Sequence, residues 1–202
     1  MPISLENLLL YLVMLTVLAS ALWDYFKSFE IPPVLVLLPF VIGLASLVVN
    51  REYLILALAV LLVGMTEIPL ATLRRIAIII CILIITVIRW DMGLFIFLFW
   101  FMYEFNFIAG ADALACLSFL LVRPDWLLGW WLIMGIGLGA WWIGLRNRGL
   151  TYFKDMINSW RNIHNSPPSE ERLLKEGRPF LWAIFLGSVL YVVSSFLISV
   201  HP

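Results

Sequence analysis

Apolar runs close to twenty residues long recur along this chain of 202 residues. A helix of about twenty apolar residues spans a hydrocarbon core of about 30 Å, so the longer runs are long enough to cross a membrane. Polar or proline-containing breaks separate the runs where turns are needed. The pattern predicts an all-α, polytopic membrane helical bundle of about six to eight transmembrane segments, with these candidate helices: 8–23, 34–49, 53–65, 76–88, 92–108, 113–122, 126–145 and 180–200.

The composition excludes an ordinary water-soluble domain. Hydrophobic residues make up 63% of the chain and charged residues 13%, with a mean hydropathy of +1.03, whereas a soluble domain is about half apolar and a quarter charged. We therefore expect one integral membrane domain over residues 1–202, in contact with the lipid bilayer and without a nucleic-acid partner. The first run follows no basic stretch and contains no small-residue cleavage motif, so we predict a retained helix rather than a signal peptide.

The residues that most often bind metals or phosphate are few and badly placed for it. Cys81 and Cys116 both lie inside apolar segments, and His164 and His201 have no ligand partner at a usable spacing. We expect neither a disulfide framework nor a metal or organic cofactor. The glycines within 135–139 are predicted to allow close helix packing, because a phosphate loop would follow a strand and face water.

The basic residues predict the orientation. With the N-terminus outside and eight crossings, ten of the 13 Lys and Arg residues lie on the cytoplasmic side, seven of them in one polar loop at about 146–178. Because cytoplasmic loops are enriched in Lys and Arg, we predict a multi-pass protein of the cell membrane with both termini outside. The same threading places Asp24, after the first segment, and Asp112, after the fifth, on the cytoplasmic side at one membrane depth.

Acidic residues inside apolar segments are expensive to insert, at about 2.5–3.5 kcal/mol on insertion scales, and so indicate function. Asp91 and Glu67 fall in turns, where water or an ion pair can satisfy them. Glu104 lies deeper and is a candidate for substrate contact, for lining an internal cavity, or for a hydrogen bond across a helix interface. All the candidates are Asp24, Glu67, Asp91, Glu104 and Asp112.

Asp24 and Asp112 form the best pair for chemistry. Two carboxyl groups held close together cannot both be ionised easily, so they share a proton. The charged member then acts as general base on a water, while the protonated member polarises a peptide carbonyl. Gly110 and Ala111 are the candidate substrate-binding residues, since their lack of bulk lets a substrate backbone approach Asp112. The other interpretation is two unrelated acids at the membrane edge.

Both aspartate segments resemble motifs of a known family. Residues 109–113, Ala-Gly-Ala-Asp-Ala, resemble the second motif of the membrane aspartyl proteases of the Gly-x-Gly-Asp type. The similarity is closest to the archaeal form of the type IV prepilin and preflagellin peptidases, in which Gly-Gly-Ala-Asp-Ala-Lys is common. Residues 23–32, with Asp24 at the end of the first helix and Ile-Pro at their close, resemble the first motif. Residues 177–180, Gly-Arg-Pro-Phe, are similar to the entry to the family's last span.

The chain departs from the family pattern at identifiable positions. Ala109 stands where the family has glycine, and Leu114 stands where it has lysine. The stretch from Asp24 to the Ile-Pro pair is one residue longer than the family's. The four-cysteine cytoplasmic loop of many bacterial members is absent, since the chain has only two cysteines. The added methyltransferase activity of those members is therefore not expected.

The resemblance implies an aspartic endopeptidase that removes the short basic leader peptide from prepilin- or preflagellin-like precursors at the cytoplasmic membrane face. Asp24 and Asp112 would be its catalytic pair, without a metal. Two other functions remain open from the sequence. One is a small transporter or channel subunit in which Glu104 and Asp112 relay protons or cations. The other is a membrane assembly factor that keeps the fold without the chemistry.

Overall fold

The protein is all-α in the part of the chain that the computed structural model describes, residues 4–27, 31–66, 68–104, 108, 110–147 and 181–200. Eight helices and no strand occur there, and each predicted apolar run coincides with most or all of one helix. The predicted polar loop at about 146–178 lies almost entirely outside these ranges, and Glu67 also lies outside them. The helices are α1 Leu5–Lys27, α2 Pro33–Val49, α3 Tyr53–Met65, α4 Ala71–Ile88, α5 Trp90–Glu104, α6 Gly110–Val122, α7 Trp126–Asn147 and α8 Leu181–Val200.

Local sequence explains where α2 begins. Pro33 occupies the first position of α2, where its fixed φ suits a helix and its missing N–H costs nothing. The fourth and sixth predicted segments, 76–88 and 113–122, start too late, and α4 already begins at Ala71. The helix α6 already begins at Gly110, so Asp112 lies in its first turn and not in the preceding loop.

Contacts between helix ends show that successive helices run in alternating directions. At one end, Arg123 after α6 donates a hydrogen bond to Asn7 at the start of α1, over 3.0 Å. At the same end, Arg89 before α5 pairs with Glu52 before α3, over 3.2 Å. A polar pocket of ≈440 Å³ lined by Arg89, Arg123 and Asp125 joins these groups. We call this the arginine end.

The last helix continues the alternation. Asp125, just before α7, accepts a hydrogen bond from the hydroxyl of Tyr191 in the second half of α8, over 2.7 Å. Glycines let these two helices approach closely, because a Cβ at Gly187 would lie 2.6 Å from the carbonyl oxygen of Trp131. A Cβ at Gly135 would collide with the carbonyl oxygen of Ala183. The packing role predicted for the 135–139 glycines is confirmed at Gly135 and is wrong at Gly137, where no atom lies within 4 Å of a Cβ.

Five consecutive helices, α2 to α6, form a closed ring in which each packs against the next and α6 packs back against α2. In the described part of the chain, no two non-adjacent helices of this ring approach each other closely. The other three helices, α1, α7 and α8, also pack against α6. As a result α6 is the most buried helix, with every residue from Ala115 to Val122 buried. Helix α6 is therefore a member of the ring and also packs against all three helices outside it.

Two of the eight helices are long and apolar enough to cross a membrane: α1 over Leu5–Asp24 and α8 over Leu181–Ile198. Helices α2, α3 and α6 are apolar but shorter, as is the apolar part of α7, Trp126–Gly139. Only 33% of the α1 segment and 28% of the α8 segment are buried within the protein. Both helices therefore present a largely apolar outer surface.

Candidate active site

Asp24 continues the buried stripe of α1. The residues that α1 turns toward the bundle include Leu10, Val13, Val17 and Ala21, which follow one another at spacings of three and four and are at most 2% exposed. Asp24 comes three residues after Ala21, on the same helical face, and is 6% exposed. The geometry of the helix thus directs this carboxylate inward, although it lies near the helix end.

Asp112 points into the bundle from the first turn of α6 and is 1% exposed. Arg123 lies eleven residues further on, close to three full turns of helix, and so projects from the same face of α6. Arg123 contacts Asn7 of α1 and lies over the ring of Tyr191 of α8, so this side of α6 is turned toward α1 and α8. Asp24 and Asp112 therefore lie at the same end of the bundle on buried surfaces of two packed helices. We call this the aspartate end.

No other charged residue among those described is buried. At the arginine end, Arg89 lies 3.2 Å from Glu52 and 3.6 Å from Asp91. The ion-pair interpretation of Asp91 is thus confirmed, although Asp91 lies in the first turn of α5 and not in a turn between helices. Burying a carboxyl group is unfavourable unless it is compensated. Asp24 and Asp112 differ from all other described acids in being buried.

The two aspartates share one end of the bundle, because Asp24 lies near the end of α1 and Asp112 lies in the first turn of α6. The expectation that both carboxyl groups lie at one membrane depth stays a prediction.

The candidate substrate-binding residues divide between two faces of α6. Gly110 is exposed, and a Cβ there would lie 3.6 Å from the ring of Tyr103. It lines an apolar cavity on the ring side, well away from the face that carries Asp112. Ala111 is partly buried between these two faces. Ala109 lies outside the described residues.

Glu104 ends α5 and forms an ion pair with Arg75 near the start of α4. The Glu104 side chain is 12% exposed and that of Arg75 is 55% exposed, so the pair sits at the rim of the aspartate end. This contact corresponds to the inter-helix alternative that the sequence left open for Glu104. It joins two neighbouring helices of the ring.

Leu114, where the resembled motif has lysine, lines the same apolar cavity as Gly110. A leucine fits that position, whereas an ammonium group would lose its hydration there. Sequence analysis missed this cavity, although Gly110, Ala113, Leu114 and Leu117 recur at helical spacing and mark one face. In the described ranges, no group of three or more His, Cys, Asp or Glu side chains is arranged to hold a metal ion.

Comparisons of the chain with protein-family models, with curated proteins and with solved structures gave no significant match. A functional assignment therefore depends on the chemistry of the two buried aspartates and on their surroundings.

Proposed function

We propose that this protein is an intramembrane aspartyl endopeptidase that removes short basic leader peptides from prepilin- or preflagellin-like precursors. The observation that carries the proposal is the burial of Asp24 and Asp112, and of no other described charged residue, on packed faces of α1 and α6 at one end of the bundle. Motif resemblance and orientation singled out the same two residues from the sequence. Burying an acid in an apolar bundle costs free energy, so two buried acids at one end are candidates for a shared function.

The proposed reaction needs only the two carboxyl groups and a water. The ionised carboxylate removes a proton from the water, whose oxygen attacks the peptide carbonyl carbon, while the protonated carboxyl donates to the carbonyl oxygen. Collapse of the tetrahedral intermediate breaks the C–N bond, and the leaving nitrogen takes up a proton. Because the pair titrates together, neither role is assigned to one residue.

The proposed setting is the cell membrane, with all eight helices crossing or nearly crossing and the aspartate end at the cytoplasmic face. Large apolar side chains on the outer surface support it, including Leu15, Val60 and Val87, which are 59%, 49% and 88% exposed. The described charged residues cluster at the two ends of the bundle, as a membrane requires. Arg51, Arg89 and Arg123 then lie outside and the remaining ten basic residues inside.

Cysteine labelling tests this topology. Ser4 at the start of α1 and Thr72 at the start of α4 are both exposed and lie at opposite ends of the bundle. We expect a membrane-impermeant maleimide to label Ser4→Cys but not Thr72→Cys in intact cells, and to label both after permeabilisation. The native Cys81 and Cys116 are buried and provide a low background. Labelling of Thr72→Cys in intact cells would overturn the orientation.

The relay function has less support from the geometry. It requires Glu104 and Asp112 to exchange protons or cations. Glu104 is engaged by Arg75 at the rim, whereas Asp112 is 1% exposed on the α6 face turned toward α1 and α8. Since Glu104 already has a cationic partner on another helix, we favour the peptidase.

A cleavage assay tests the proposed function directly. The purified protein in detergent is mixed with a precursor in which a short basic leader precedes an apolar helix, and products are followed by gel shift and mass spectrometry. We expect one cut at the junction of leader and helix. A matched precursor with the leader lysines and arginines replaced by serine is expected to be cut poorly. Failure to cut several such precursors under any lipid condition would contradict the proposal.

A further inference from the structure

The ring of helices α2 to α6 encloses an apolar cavity of ≈310 Å³. All five helices contribute to its wall, including Val36 of α2, Leu62 of α3 and Ile78 of α4. Its lining on α6 runs from Gly110 to Leu117, which is about 10 Å of helix. Thr66, Tyr103 and Gly110 lie at helix ends, so the cavity reaches the aspartate end of the ring. Its size is at the lower limit of small-molecule sites, and its long apolar shape suits an alkyl chain.

A cation precedes the cavity along α4. Arg74 is one turn before the cavity residue Ile78, on the same side of α4 and toward the aspartate end, and is only partly exposed. Unlike its neighbour Arg75, which pairs with Glu104, Arg74 makes no ion pair with any described residue. The helical register therefore places an arginine near the mouth of an apolar slot.

We propose that this cavity binds one acyl chain of an anionic glycerophospholipid. The phosphate lies at Arg74, and the alkyl chain fills the slot between the helices of the ring. The order of charge and chain in such a lipid matches the order of the arginine and the apolar slot. The inference rests on the membrane setting and not on the peptidase activity.

Native mass spectrometry tests the proposal on the full chain in detergent, with phosphatidylglycerol and phosphatidylcholine of equal chain length as the two probes. We expect the parent protein to retain one phosphatidylglycerol, with about tenfold preference over phosphatidylcholine. Arg74→Gln should lose the preference, and the cavity-filling Ala113→Phe should lose the bound lipid. Equal retention of the two lipids by the parent would overturn the proposal.

Matched controls separate lipid binding from general damage. Ala57 is exposed on the outside of α3, so Ala57→Phe makes the same change without filling the cavity. Arg51 is exposed at the arginine end, so Arg51→Gln removes the same charge elsewhere. Both should retain lipid as the parent does. If Ala113→Phe does not fold, Arg74→Gln still decides, because an unchanged lipid preference in that variant contradicts the proposal.

Discussion

Replacing either Asp24 or Asp112 by Asn is expected to lower the rate of leader cleavage by at least about a hundredfold, since positioned acid–base groups contribute about 10²–10⁴-fold. Asn keeps the size of the side chain but can neither take a proton from water nor share one with the other carboxyl group. The rate should be measured in single turnovers with excess enzyme, so that slow product release does not mask the chemical step. The double variant should be little worse than either single variant, because the two groups act as one unit.

Asp91→Asn is the matched control for these substitutions. Asp91 lies at the arginine end, where it pairs with Arg89 at 3.6 Å, remote from both aspartates. The Asp91→Asn variant should cleave the precursor at a rate close to that of the parent. Thermal unfolding in detergent should show all three variants folded, which excludes a trivial loss of activity. Cleavage at parental rates by Asp24→Asn and Asp112→Asn would remove the basis of the proposed mechanism.

The largest expected effect on stability is at Gly135. In Gly135→Val the new side chain meets the carbonyl oxygen of Ala183, and its Cβ would lie 3.2 Å from the Cα of Gly187. These neighbours are backbone atoms that cannot rotate away, so α7 and α8 must separate. Overpacking of this kind destabilises by about 1–3 kcal/mol and sometimes more. We expect a clearly lowered midpoint of thermal unfolding in detergent.

Gly137→Val provides the comparison on the same helix. No atom lies within 4 Å of a Cβ at Gly137, so the substitution adds the same side chain without a collision. Both variants share any effect of a β-branched residue on helix propensity, and this effect cancels in the difference between them. Equal unfolding midpoints for the two variants would show that α7 and α8 do not pack as described.

Hydrophobic pattern predicted the helices well because each apolar run is bounded by prolines or charged residues that end it. The pairing of ends followed from counting alone: helices of alternating direction bring the end of α1 and the start of α6 to one side. For this reason Asp24 and Asp112 could be placed together before any coordinates were considered. The beginning of α6 was misjudged because Gly110, Ala111 and Asp112 interrupt the apolar pattern without ending the helix.

The directions in which side chains point could not be predicted from this sequence. Gly110 and Asp112 are two residues apart, and a helix separates such neighbours by about 200°. Whether α1 or the ring faces a given side of α6 depends on tertiary packing, and apolar residues occur all around this helix. Apolar helices of this kind also carry little information about how far one is displaced along another.

Helix α6 packs against the ring and against α1, α7 and α8. Its length is therefore less tolerant of change than its composition. Asp112 lies on the side of α6 turned toward α1 and α8, because a near-whole number of turns separates it from Arg123, which contacts Asn7 and Tyr191 at the far end. One inserted or deleted residue between them would rotate Asp112 by about 100°, whereas seven residues would nearly restore its direction. Natural variants of this helix should therefore differ freely in which apolar residues they carry and rarely in how many.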